Sequence, residues 1–258
     1  MDEQVKPQGY PRAATQEDIA RNLQAVQGRI EQACQRAGRL PAEVRLLPVS
    51  KTIDEDHLRL AYAAGCRYLG ENKVQEAMRK WQMLADLDGL QWSVIGHLQT
   101  NKAKYVARFA NEFQALDSLH VAAELDRRLQ REGRALEVFV QINTSGEASK
   151  YGLAPEQALP FIQEMPVYSS LRVRGLMTLA ALSADSSRVR GCFQLLRELR
   201  DRLAQDAPDG IELSQLSMGM SGDFEAAIEE GATVVRVGQA IFGARPTPDS
   251  FYWPVSSV

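Results

Sequence analysis

Cysteine is scarce. Cys34, Cys66 and Cys192 are three in 258 residues, an odd number with neither metal-ligand spacing nor a disulfide framework. A reducing, cytoplasmic setting fits that usage, and the thiols read as small core or surface residues. A basic excess is also absent: the formal charge is −3. Proteins that bind nucleic acid or a membrane surface ordinarily carry the opposite footprint. No apolar run approaches the length of a membrane span. The opening MDEQVKPQGYPRAATQED lacks the basic-then-apolar order of a secretory signal. His57, His97 and His120 have no metal spacing, and no segment fits a Walker phosphate loop or a dinucleotide fingerprint. No linker rich in Gly, Pro or Ser divides the chain, and no repeat is visible, which favours one domain.

What is present is an alternation. TQEDIARNLQAVQGRIEQACQRAG has a helix's signals: Thr15 as cap, Asp18 three residues on, Ile19, Leu23, Val26 and Ile30 at helical spacing, and Gly38 at the close. Eight short apolar runs then alternate with amphipathic segments. The runs are VRLLPVS, CRYLGE, QWSVIG, FQALDS, LEVFVQINTS, VRGLMTL, LSQLSMG and TVVRVGQAIFG. Several are nearly continuous in apolar residues, as strands covered on both faces are. Strand-helix repetition implies parallel strands with crossover helices, and eight of them suit a closed (β/α)8 barrel. FQALDS is the weakest of the eight. The expected division is a mobile head over 1–14, an α/β barrel of TIM type over 15–245 that includes the extra N-terminal helix, and a tail over 246–258.

The active face of such a barrel lies where strands end. Those ends carry Ser50-Lys51, Glu71-Asn72, Gly96-His97, NTSGEASK, Met177-Thr178, SMGMSGD and RVGQAIFG. Lys51 is the notable one, because LLPVSK reads as a buried strand and an ammonium loses hydration inside a core. A strand that simply stops, with Lys51 reaching solvent, is the plain alternative. SMGMSGDFEAAIEEGA sets two hydroxyls and two glycines before a helix starting near Asp223, where exposed N–H groups favour an anion. Ordinary helix capping would use the same residues. Gly238 permits close approach to the backbone, and Arg236 adds positive charge. Loops after strands seven and eight are the usual phosphate site of this fold, and in a closed barrel they adjoin strand one. A lysine beside a phosphate site suggests a Schiff base with pyridoxal 5′-phosphate (PLP). His97 is a candidate pocket residue, Glu71 a general base or the partner of a cation, and Trp92 a core residue. His57 and His120 fall in helical stretches and read as surface residues, and ELRDRL and LDRRLQREGR as solvated helix faces.

PVSK, LGEN, WSVIGHLQTNK, QINTSGEASKYGL, RGLMTL, LSMGMSGDFEAAIEEGAT and VRVGQAIFGAR resemble the YggS/PROSC family of pyridoxal phosphate homeostasis proteins, which are related to the N-terminal barrel of alanine racemase. The likeness runs in order from the first helix to about Arg245. It implies a fold-type III barrel with PLP as a covalent aldimine on Lys51. It further implies phosphate contacts from Ser217 and from the backbone around Gly238 and Gln239. By similarity to the racemase barrel, Arg236 would face the pyridine nitrogen, with a phosphate contact as the other option. Asn72, His97, Met177, Met218 and Ser221 would line the pocket. The tail PTPDSFYWPVSSV departs from relatives, which often carry a charged ending.

The racemase draws its second base, a tyrosine, from a further C-terminal domain, and here Tyr252 in the tail is a poor substitute by position. Racemisation needs a base on each face of the cofactor–substrate adduct. The expected function is therefore binding and regulated supply of PLP, with effects on vitamin B6 and amino-acid balance. Apo-enzymes would be recipients and the chain a monomer. A weak amino-acid racemase or other PLP enzyme is the alternative, and a Schiff-base aldolase without PLP a third.

Overall fold

Thr15 starts the first helix through a reciprocal cap. In the computed structural model, which describes residues 10–244, the Asp18 N–H donates to Thr15 Oγ1 at 3.1 Å while Thr15 N–H donates to Asp18 Oδ2 at 3.1 Å. Helix α1 (Gln16–Arg36) buries Ile19, Val26 and Ile30, and Gly38 follows it at φ +66°. The head up to Gly9 and the tail, with Tyr252, lie outside the described residues. Residues on the head side of the expected boundary are tied to the chain beyond the last strand, since Ala244 N–H donates to the Tyr10 carbonyl at 2.8 Å.

All eight apolar runs are strands: β1 (Arg45–Pro48), β2 (Tyr68–Glu71), β3 (Gln91–Val94), β4 (Glu112–Leu116), β5 (Leu136–Gln141), β6 (Leu171–Met177), β7 (Gln215–Ser217) and β8 (Val234–Val237). β4, the weakest in sequence, is buried at every position, as is β8. Burial on both faces is what removes the alternation a half-exposed strand would show. Every pairing is parallel, in the order β1-β8-β7-β6-β5-β4-β3-β2. A Val49–Gly70 bridge and a 2.9 Å hydrogen bond from Ser50 N–H to the Gly70 carbonyl draw the ring nearly closed.

The crossovers are α2 (Glu55–Ala63), α3 (Val74–Met83), α4 (Ala103–Phe109), α5 (Leu119–Glu132), α6 (Ala158–Glu164), α7 (Ser186–Leu203) and α8 (Phe224–Glu229), with the short α9 (Gln239–Phe242) after β8. They present Leu58, Ala77, Val106, Leu125, Ile162, Phe193 and Phe224 to the strands, and Trp92 is core as expected. No helix among the described residues is long and apolar enough to cross a membrane.

The barrel interior is more polar than the branched aliphatic layers usual in this fold. Glu112 accepts from Arg45 Nη2 at 2.5 Å, from Ser93 Oγ at 2.7 Å and from Gln114 Nε2 at 2.6 Å. Gln114 Oε1 in turn accepts from Ser217 Oγ at 2.6 Å. Buried polar groups survive folding when they find partners, and this chain of bonds supplies them across strands far apart in sequence, with Arg45 Nη1 left without a partner among the described residues.

Candidate functional site

At the C-terminal rim, Lys51 sits half-buried just past β1, and its strand lies against the end of β8. Val49 N–H donates to the Val237 carbonyl at 2.9 Å, and a Cβ added at Gly238 would come 3.0 Å from the Val49 carbonyl oxygen. The lysine turn and the last loop are thus neighbours, as the closed ring requires. Thr52, next in the chain, has φ +68°, alone among the described non-glycine residues in being positive. A β-branched residue there is strained, and such strain gathers at functional sites.

Ser221 and Gly238 meet across the loops after β7 and β8, with Gly238 N–H donating to Ser221 Oγ at 3.3 Å. Gln239 opens α9 directly behind Gly238. Backbone N–H groups at such a start, beside a hydroxyl, match the needs of a phosphate.

Ser217 is placed differently from the phosphate contact expected of it. It is fully buried inside the barrel, gives its single hydroxyl proton to Gln114, and accepts from Arg236 Nη1 at 2.6 Å. The strand's alternation turns Ser217 inward, whereas Ser221 follows on the loop, where a ligand can reach it. Arg236 also donates from Nη2 to the Thr178 carbonyl at 2.7 Å. Burial pulls its pKa down to about 10, against the pull of Asp223 and Glu112, so the guanidinium keeps its charge at neutral pH. Among the described residues no carboxylate is in ion-pair range of it. A buried cation without a carboxylate is suited to an electron-rich or anionic ligand.

Met177 and Met218 are both fully buried, Met177 standing beside Ser217 in the β6–β7 register. Asn72 lies against Gly96, where any Cβ would fall 2.1 Å from the Asn72 carbonyl oxygen, so only glycine lets the β2 and β3 ends approach so closely. His97 stacks on Tyr151, ring centroids 3.9 Å apart and planes 8° from parallel, and its Nδ1 is 3.7 Å from Asp117. Burial raises the Asp117 pKa, opposed by the imidazole. His57 bonds its own helix cap, Asp54, and His120 is exposed on α5. Among the described residues no cluster of His, Cys, Asp and Glu could hold a metal.

Glu71 takes the second of its two possible roles. Its Oε1 is 2.6 Å from the ammonium of Lys80, and both side chains have no exposed surface. Burial pushes the Glu71 carboxyl up to about 7 despite that cation. Lys80 escaped notice in the sequence because Glu76 precedes it by four residues, the spacing of an ordinary exposed helix pair. Gln114 has no motif to single it out, while Thr178, at a strand end, and Tyr151, within QINTSGEASKYGL, carry no role in the sequence reading.

Residues 21–246 match the family described as alanine racemase, N-terminal domain. The pyridoxal phosphate homeostasis protein of Pseudomonas aeruginosa is 44% identical over 227 residues, covering 88% of this chain and 96% of that one. The chain belongs to the pyridoxal phosphate homeostasis protein family. The family's protein from Aquifex aeolicus is 41% identical over 223 residues, covering 86% of this chain and 96% of the other. PipY of Synechococcus elongatus PCC7942, solved with PLP bound, matches with TM-score 0.77 and 34% identity, covering 87% of this chain and 100% of that one. The family and barrel expected from sequence are thereby borne out.

Proposed function

We propose that this chain binds PLP and serves intracellular PLP homeostasis, carrying the cofactor covalently on Lys51. The observation that bears most weight is the juxtaposition at the β1–β8 seam: a lysine on a strained turn, beside the Ser221–Gly238 loops, within a barrel that holds the buried Arg236. The family name and the PLP-bound relative support the same cofactor. Bound PLP supplies an aldehyde for an amine and a ring that can accept electrons.

The Ser221 hydroxyl and the Gly238 and Gln239 backbone form the phosphate side in this proposal, in place of the Ser217 hydroxyl. Arg236 is assigned to the ring side in this proposal, because β8 sets it inside the barrel, bonded to Ser217 and Thr178, while Ser221 and Gly238 lie on the loops. A cation there would oppose protonation of a pyridine nitrogen and weaken the ring as an electron sink, as the corresponding arginine would in the racemase barrel. Asn72, His97, Met177 and Met218 complete the pocket. A cytoplasmic monomer that hands PLP to apo-enzymes completes the proposal.

Borohydride reduction of the PLP-loaded protein followed by peptide mass analysis is the test. The label is expected on Lys51, and a label on another lysine overturns the attachment site.

A further inference from the structure

The turn that carries Lys51 is held by a charge buried behind it. Lys80 on α3 has no exposed surface, although a lysine on a barrel's outer helix ordinarily extends to water. Its Nζ donates to the Ser50 carbonyl at 2.8 Å, to Glu71 Oε1 at 2.6 Å and to Glu76 Oε1 at 2.7 Å, which engages all three ammonium protons. Glu76 Oε1 also accepts from the Thr52 N–H at 2.8 Å. The Ser50 carbonyl belongs to the peptide unit before the Lys51 Cα, and the Thr52 N–H to the unit after it. One ammonium and one carboxylate therefore fix both rigid planes between which Lys51 turns. The positive φ of Thr52 is the strain that such a grip sustains.

The network is a poor choice for stability alone. A buried ion pair can often be replaced by apolar side chains without loss. Glu71 Oε2, moreover, is buried with no hydrogen-bond partner among the described residues. Fixing a direction is the gain that remains, and an amine that must meet an aldehyde depends on direction.

We propose that Lys80 is a positioning residue which, through Ser50, Glu71 and Glu76, aims the Lys51 amine and sets the rate of cofactor capture. The inference rests on Lys51 being the attachment site. In capture, the neutral Lys51 nitrogen bonds to the aldehyde carbon. The carbonyl oxygen leaves as water with the two amine protons, and a C=N bond replaces C=O with no change of oxidation state.

The test compares Lys80→Met, Glu76→Ala and Lys51→Ala with the wild-type protein. Readouts are the PLP capture rate by stopped-flow absorbance, affinity for pyridoxine 5′-phosphate, and Thr52 amide exchange in cofactor-free protein. Pyridoxine 5′-phosphate keeps the ring and phosphate but lacks the aldehyde. Lys80→Met should slow capture roughly ten- to hundredfold, as small misplacements of reacting groups do. It should expose the Thr52 amide and leave the affinity for the alcohol unchanged. Glu76→Ala, which retains the Lys80–Glu71 pair, should act in the same direction and decides the matter if Lys80→Met fails to fold. Capture at the wild-type rate, or an equal loss of affinity for the alcohol, overturns the positioning role. Undiminished covalent capture by Lys51→Ala instead overturns the attachment site, and is read independently of Lys80.

Discussion

Arg236 Nη1 lies 2.6 Å from Ser217 Oγ, and Ser217 passes its own proton to Gln114 Oε1 at 2.6 Å. A hydroxyl has one proton to give, so Ser217 serves the barrel's internal chain of bonds. The two serines of SMGMS are therefore placed apart, Ser217 in the interior and Ser221 on the partly exposed loop.

Ser217→Ala should strip buried donors and acceptors of their partner and cost about 1–3 kcal/mol of stability. Ser221→Ala, which removes the 3.3 Å bond from the Gly238 N–H, should lower the melting temperature of the cofactor-free protein less than Ser217→Ala does. It should weaken PLP binding by about 1.5–3 kcal/mol, roughly ten- to hundredfold. Thermal melts and PLP titrations of both variants check this. The opposite pattern would return the phosphate contact to Ser217.

Gly238→Ala places a Cβ 3.0 Å from the Val49 carbonyl oxygen at φ −114°, which an alanine adopts without strain. The neighbour must yield, at about 1–3 kcal/mol by the measure of other overpacked sites. Because Val49 is two residues from Lys51, PLP retention during dialysis should fall along with stability. Full retention would place the cofactor away from this seam.

Glu71 carries a pH signature. Below its ordinary value of 4.5 the carboxyl is protonated in the folded and unfolded chain alike. Between 4.5 and about 7 the folded protein keeps that proton while the unfolded chain has lost it. Folding stability from this group therefore falls as pH rises across that window, then levels off. Lys80 and Glu76 on α3 and Ser50 after β1 face the carboxyl, Glu76 raising and Lys80 lowering its pKa. Glu71→Gln should remove this leg, seen as a flatter melting temperature between those limits. An unchanged slope would assign the pH dependence to other groups.

Turnover should stay negligible. Amino acids are expected to change the absorption of the PLP-loaded protein slowly while L-to-D conversion remains near background. Stereochemical assay of alanine, serine and glutamate, with Lys51→Ala as control, measures this. Lysine-dependent racemisation on the order of 1 per second or faster would make the protein an enzyme.

The eight strands were legible in the sequence because burial on both faces writes itself as apolar runs, even for β4 with its polar Glu112 and Gln114. The Thr15–Asp18 cap was legible because its partners are three residues apart. Lys51 stood out because a strand's end is a local property, and a cation there is conspicuous. What only the tertiary structure decided depends on partners distant in the chain. Ser217 and Gln114 are 103 residues apart, Arg236 and Thr178 are 58 apart, and Lys80 reaches back 30 residues to Ser50. Which of two serines turns inward, and whether a helix lysine meets water or a buried carboxylate, is settled when the ring closes. Only then do strands from opposite ends of the chain share one interior, where every polar group must find a partner or bear the cost of lost hydration.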